Sequence, residues 1–321
     1  MKDAFGRDIT YMRVSVTDRC DLRCRYCMPA EGIGKVPMAQ ILTYEEIIRI
    51  CHAAAGLGIS RIKVTGGEPL VRRGCPDLVR RLKAITGIEQ VTMTTNGQQL
   101  LPHLDALLAA GLDAVNISLD TLREDRYRSV TRGGQLQPVL DAVEAALHAG
   151  LAVKINCLPM RAFNEDELAD LAALAFTKGI AVRFIEVMPV GFGNADSGLS
   201  NLQVLEQLQQ AYPDLVPDTA VRGNGPAVYY HIPGQPGAIG LISALHAPFC
   251  KSCNRIRLTA EGLLKPCLCY EDGTDLKQVL DRGDECALTE ALRQAILAKP
   301  AAHCFDRPEQ TDPRPMVRIG G

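Results

Sequence analysis

The sequence predicts an α/β fold built on a parallel sheet, followed by an irregular, loop-rich C-terminal module. Three observations predict it. Runs rich in β-branched residues alternate with amphipathic helical patterns through the first two-thirds of the 321 residues. Six such units follow one another, which reads as a barrel or part of one, with a flat open sheet as the alternative. From about residue 190 Gly and Pro become frequent, as in 191–198 (GFGNADSG) and 222–237 (RGNGPAVYYHIPGQPG).

The strand patterns lie at about 11–16, 60–65, 90–95, 113–119, 151–158 and 180–187. One helical pattern opens at Thr43 with Glu46 three residues on, the spacing of a capping box. Asn164 and Glu167 repeat that spacing ahead of another. Further helical patterns cover about 76–85, 101–110 and 137–149, the last closing on Gly150, and one more lies near 287–298. The change in composition divides the chain into two expected parts, residues 1–195 and 196–321.

Composition narrows the function. Hydrophobic residues make up 47% and charged residues 22%, values of a globular rather than a disordered chain. The balance of 35 basic against 37 acidic residues gives no reason to expect nucleic acid or a membrane surface as partner. An anionic ligand would need a local cluster of cations. No apolar run approaches the roughly 18 residues of a membrane span, and the N-terminus has no apolar signal region, so the expected compartment is the cytoplasm. Twelve Cys in a reducing compartment point to metal binding or thiol chemistry rather than disulfides. Cys51, Cys75, Cys157, Cys269, Cys286 and Cys304 are scattered and read as small buried hydrophobes.

The other six fall into two groups. Cys20, Cys24 and Cys27 have the spacing C-x3-C-x2-C and follow the first strand, at the end where barrels place their chemistry. Iron–sulfur clusters normally take four Cys. Three thiolates therefore leave one iron of a four-iron cluster open to a small molecule. Arg19, Arg23 and Arg25 are expected to lower the thiol pKa values. A zinc site with a distant fourth ligand competes with this reading. Cys250, Cys253 and Cys267 form the second group, C-x2-C-x13-C. They read either as a second three-thiolate cluster or, with Cys269, as a four-thiolate zinc ribbon, and spacing leaves both open. Arg255 and Arg257, two apart in a strand-like run, share a face beside this group. Paired guanidinium groups suit phosphate oxygens.

The first spacing, with Tyr26 before the third Cys and Thr65-Gly66-Gly67-Glu68-Pro69 after the second strand, resembles the radical S-adenosylmethionine superfamily. The block from Phe249 to Thr259 (FCKSCNRIRLT), with Gly262, Leu264 and Cys267-Leu268, is similar to the GTP 3′,8-cyclase family. The run from Arg13 to Cys20 and the terminal Ile319-Gly320-Gly321 fit the same family, over about residues 10–321. The resemblance implies an incomplete (βα)6 TIM-like barrel whose open side is covered by a C-terminal module carrying a second iron–sulfur cluster. It implies two [4Fe–4S] clusters, the first on Cys20, Cys24 and Cys27 and the second on Cys250, Cys253 and Cys267, with S-adenosylmethionine as cosubstrate. Implied S-adenosylmethionine contacts are Tyr26, Gly67, Ser118 and Met188. Implied GTP contacts are Arg13, Lys63, Thr94, Lys154, Arg255, Ile256 through its backbone, and Arg257, with the tail Gly320 and Gly321 reaching the active site.

The implied reaction belongs to molybdenum cofactor (molybdopterin) biosynthesis, as its first step. A 5′-deoxyadenosyl radical takes hydrogen from C3′ of GTP, and C3′ then bonds to C8 of guanine. The product is (8S)-3′,8-cyclo-7,8-dihydroguanosine 5′-triphosphate, which cyclic pyranopterin monophosphate synthase would take up. An unidentified electron donor is a further implied partner, and the expected state is monomer or homodimer. The alternative is another radical enzyme of the superfamily, with an auxiliary cluster and a peptide substrate. Two departures stand out: Cys269 is a competitor for the place of Cys267, and Arg73-Gly74-Cys75 stands where relatives often carry an acidic residue.

Overall fold

Strand and helix alternate as the residue patterns demand. The computed structural model describes residues 1–220 and 222–320. Its first part runs β1 (Tyr11–Ser15), α1 (Tyr44–Gly56), β2 (Arg61–Thr65), α2 (Cys75–Lys83), β3 (Gln90–Thr95), α3 (Leu100–Ala109), β4 (Ala114–Ser118), α4 (Glu124–Thr131), α5 (Leu136–His148), β5 (Ala152–Cys157), α6 (Leu168–Lys178) and β6 (Ala181–Ile185). Each strand from β1 to β6 pairs in parallel with the next.

The strand pleat sorts side chains onto two faces. Met12 and Val14, Ile62 and Val64, Val91 and Met93, Val115 and Ile117, Ile155, Val182 and Phe184 are fully buried in the main apolar core with the helices. The residues between them are polar: Arg13, Lys63, Thr92, Asn116, Lys154 and Arg183. Burying one aliphatic side chain is worth about 1.5–3 kcal/mol, so this outer belt holds the helices to the sheet. Apolar outside and polar inside is the signature of strands wrapped around a lumen.

The last third adds α7 (Asn201–Ala211), β7 (Val216–Asp218), β8 (Val228–His231), β9 (Ala238–Ile242), β10 (Arg255–Leu258), β11 (Leu263–Lys265), β12 (Thr274–Asp275), α8 (Leu276–Asp281) and α9 (Glu285–Leu297). Two of these strands extend the parallel sheet. β9 pairs in parallel with β6, and β10 pairs in parallel with β1. β8 and β7 then continue antiparallel from β9, and β11 and β12 continue antiparallel from β10. The strand order is β12-β11-β10-β1-β2-β3-β4-β5-β6-β9-β8-β7, with β12 and β7 as its two edges, a partial barrel flanked by antiparallel arms. Among the described residues no helix is long and apolar enough to cross a membrane.

Local signals are met in part. The Thr43 capping box forms: Glu46 N donates to Thr43 Oγ1 at 3.2 Å and Thr43 N donates to Glu46 Oε2 at 2.6 Å. The one expected at Asn164 does not. Asn164 Nδ2 donates to Asp120 O at 2.7 Å and to Leu158 O at 2.9 Å, and its Oδ1 accepts from Met160 N. The Glu167 carboxylate is taken by Thr121 Oγ1, Leu122 N and Arg126. A 3-10 turn at Glu165–Glu167 precedes α6 instead. The helices α4, α7 and α8 have no counterpart in the expected pattern. The residues of α4 (EDRYRSVT) offer little apolar stripe, and α7 announces itself only by the Ser200–Gln203 capping box.

Phe184 is fully buried on the outward face of β6. Replacing it with Ala is expected to cost about 3–5 kcal/mol. Chemical denaturation of the metal-free protein checks this; an unchanged midpoint would show that the outward face is not the main core.

Candidate active site

Inward-facing side chains enclose a cavity of about 540 Å³, within the ~300–1,000 Å³ common for small-molecule sites. It touches Arg13 on β1, Lys63 on β2, Thr94 on β3, Asn116 and Ser118 on β4, Lys154 and Asn156 on β5, Arg183 on β6, and Arg255 and Arg257 on β10. One space that reaches seven strands requires a sheet curled around it. The register places Arg13 directly beside Lys63 on one side and Arg257 on the other. Three cations therefore stand in a row across adjacent strands.

Their surroundings are costly for positive charge. Burial, then Arg183, Arg13 and Lys154, push Lys63 well below the usual lysine value. Burial, then Arg183 and Arg222, bring Lys154 down to about 8. Burial, then Arg13 and Arg255, also lower Arg257 well below the ordinary guanidinium value. Mutually repelling cations in a partly dry cavity mark a place for a polyanion. Buried polar atoms point the same way. Thr94 Oγ1, Asn156 Oδ1 and Arg183 Nε have no hydrogen-bond partner, and all three residues line the cavity.

The first cysteine group sits past the C-terminal end of β1. Gly66 and Gly67 let the loop after β2 lie directly against it. A Cβ on Gly66 would come within 2.8 Å of Thr17 O, and one on Gly67 within 2.2 Å of Arg19 O. Gly67 N donates to Thr17 O at 2.7 Å and Glu68 N to Arg19 O at 2.8 Å, so backbone clamps backbone. The Glu68 carboxylate is fully buried and accepts from Leu70 N, Thr95 Oγ1 and Asn96 N, which fixes the loop after β3 as well. Tyr26 Oη donates to Asp120 Oδ2 at 2.7 Å. Tyr26, Ser118 and Met188 all line the cavity.

Arg19, Arg23 and Arg25 do not lower the thiol values. Burial pushes Cys20 up to about 12 and Cys27 to about 11, and burial with Cys27 and Asp120 nearby raises Cys24 well above the usual value. Arg25 donates to Ser129 O at 3.1 Å. Such thiols release their protons to solvent when a metal cation binds in their place.

The second group lies at the opposite end of the lumen. Cys253 precedes β10, which runs parallel to β1, so its start is remote from the end of β1 by about five residues, or about 16 Å. Cys250, Cys253 and Cys267 border the cavity. Burial raises Cys253, but Arg255 and Lys299 outweigh it and bring the thiol to about 7. Cys269 does not join them: it is buried with its sulfur against that of Cys304, and Cys304 N donates to it at 3.0 Å. The four-thiolate ribbon therefore lacks its fourth ligand. Two all-thiol, three-membered groups, the second bordering the cavity and the first next to it through Tyr26, fit clusters with one open iron.

Arg255 and Arg257 share the inward face, whereas Ile256 is fully buried in the core and does not line the cavity. Gly67 contacts the cysteine loop rather than the cavity wall. Gly320 is buried, and its carbonyl accepts from Arg257 Nη1 at 2.9 Å; Gly321 lies outside the described residues. A Cβ on Gly67 would also come within 2.8 Å of Val317, so the tail passes the loop beside the first group on its way to Arg257. Arg183, Asn156 and Asp120 escaped sequence reasoning. Arg183 shares the inward parity of Arg13 and Lys63, and a basic residue inside the run IAVRFIEV was its available signal.

Comparison with known proteins agrees with this geometry. Residues 14–175 match the radical SAM superfamily, and residues 180–305 match the family described as Molybdenum Cofactor Synthesis C. Among solved structures, Streptococcus suis SuiB bound to S-adenosylmethionine superposes with a TM-score of 0.64 at 14% identity, over 95% of this chain and 75% of that one, a likeness of fold. The GTP 3′,8-cyclase of Moorella thermoacetica is 45% identical over 100% of both chains. That of Heliobacterium modesticaldum is 47% identical, again over 100% of both. Identity of this extent, end to end, means that the chain belongs to the GTP 3′,8-cyclase family.

Proposed function

We propose that this chain is the radical S-adenosylmethionine enzyme that converts GTP to (8S)-3′,8-cyclo-7,8-dihydroguanosine 5′-triphosphate in molybdenum cofactor biosynthesis. The observation that carries the reading is the cavity-lining row Arg257–Arg13–Lys63, with the second cysteine group on the cavity wall and Tyr26 of the first group's loop also lining it. A protein of net charge −2 concentrates cations only where a polyanion repays their burial.

In this reading residues 1–195 hold the first cluster on Cys20, Cys24 and Cys27, and residues 196–321 hold the second on Cys250, Cys253 and Cys267. When bound, the clusters and S-adenosylmethionine supply the one-electron chemistry that removes hydrogen from C3′ of the ribose. The chain's own part is binding and positioning. Arg13, Lys63, Lys154, Arg183, Arg255 and Arg257 grip the triphosphate, and Thr94 Oγ1 offers a hydrogen bond where it now has none. The Ile256 backbone borders the guanine, which lies toward the second group. Tyr26, Gly67, Ser118 and Met188 hold S-adenosylmethionine at the other end. Tyr26 is oriented by its bond to Asp120, whose Oδ1 also accepts from Leu158 N at 2.8 Å. Joining C3′ to C8 needs the two atoms held in contact, a positioning task for which an enclosed lumen is suited. Enclosure also keeps solvent from reactive carbon centres. The tail, with Gly320 already at Arg257, completes the wall over the substrate.

In the same reading a donor supplies two electrons, one to cleave S-adenosylmethionine and one to reduce the radical left after ring closure, cyclic pyranopterin monophosphate synthase takes the product, and the enzyme works in the cytoplasm as a monomer or homodimer. Anaerobic reconstitution with iron and sulfide, then S-adenosylmethionine and dithionite, tests the reading. Release of 5′-deoxyadenosine is expected to rise strongly with GTP. Release indifferent to GTP would point to another substrate, a peptide first.

Arg257→Ala is expected to retain iron and to lose one charged contact to phosphate, about 1.5–3 kcal/mol. That is roughly 10- to 100-fold in Kd by equilibrium binding; unchanged affinity would remove Arg257 from the phosphate site. Cys253→Ser is expected to cleave S-adenosylmethionine slowly while forming no cyclised nucleotide. A normal product yield by chromatography would refute the second-cluster assignment.

A further inference from the structure

Beneath the second cysteine group lie two buried cations that the phosphate site does not use. Lys299, immediately after α9, is 3% exposed. Its Nζ donates to Arg255 O at 2.8 Å and to Pro266 O at 2.7 Å, which fixes the amine beside the thiols of the group. The carbonyls it binds are those of Arg255, two residues past Cys253, and of Pro266, next to Cys267.

Arg7 braces the same place from the N-terminal segment. Its Nε pairs with Asp3 at 2.5 Å. Its Nη1 donates to Cys250 O at 2.8 Å and Ala301 O at 3.2 Å, and its Nη2 to Pro300 O at 2.7 Å. Arg7 thereby fixes the segment that carries Lys299 to the cysteine loop.

We propose that Lys299, held in place by Arg7, is a positioning residue of the second cluster that raises its reduction potential. The inference rests on Cys250, Cys253 and Cys267 being that cluster's ligands. Net charge and hydrogen bonds to sulfur set the potential of such clusters. Reduction adds negative charge, and an ammonium fixed beside the ligand loops favours it.

The test uses the full chain with Cys20→Ala, Cys24→Ala and Cys27→Ala, so that only the second cluster gives a signal. Iron content and an EPR-monitored redox titration are measured after anaerobic reconstitution. No cluster in this parent would sink the ligand reading itself. With the parent loaded, Lys299→Met is expected to take up iron and to show a midpoint shifted negative. The expected change is about tenfold in the reduction equilibrium, about 59 mV for one electron. Lys299→Arg is expected to restore most of the shift. An unchanged midpoint in loaded Lys299→Met would overturn the proposal. Failure of both Lys299 variants to load iron would make the residue a folding element and overturn it as well.

Discussion

Parallel register across adjacent strands is the constraint from which the site follows. Side chains two apart on one strand share a face, and residues paired across strands share it too. Once Met12, Ile62, Val91 and Val115 are committed to the helical side, Arg13, Lys63, Thr92 and Asn116 have no choice but the lumen. The apolar outer belt thus holds the cations together against their own repulsion. A one-residue slip of any strand would bury a charge among the helices and open an apolar face to the cavity. Stability and function therefore select the same register.

The two cysteine groups sit in different electrostatic settings. The first lies near the carboxylates of Asp21, Glu68 and Asp120, and burial raises its thiols. The second is pressed between Arg255 and Lys299, and Cys253 is lowered instead. The first environment keeps positive charge away from the thiols, while the second supplies it. Clusters of one composition in these two places would differ in electronic character because of the protein alone.

Most of the barrel was legible because its signals are local. The six strands stand within a residue or two of their β-branched runs, and Thr43 caps its helix as its spacing demands. The failures involve partners distant in sequence. Asn164 had the right neighbour for a cap, but Asp120 O and Leu158 O claimed its amide, and Thr121 and Arg126 claimed Glu167. The run RIRL read as a strand, yet nothing within it says that it pairs with β1, some 240 residues away. Arg183 was hidden for a related reason: its meaning comes from its neighbours on other strands, not from those on its own. Likewise Cys269 could be removed from the second group only by finding Cys304 beside it.

The placement of β9 and β10 bears on how the chain comes to be made. During synthesis β1 to β6 leave the ribosome with both outer strands bare, because their partners begin only at Ala238 and Arg255. An unpaired strand edge is a template for wrong pairing and aggregation. The nascent N-terminal part cannot reach its final shape until four-fifths of the polypeptide has emerged, so the two parts mature as one cooperative unit rather than in succession. A fold that joins its ends through its middle ties the birth of its first strand to the arrival of its tenth.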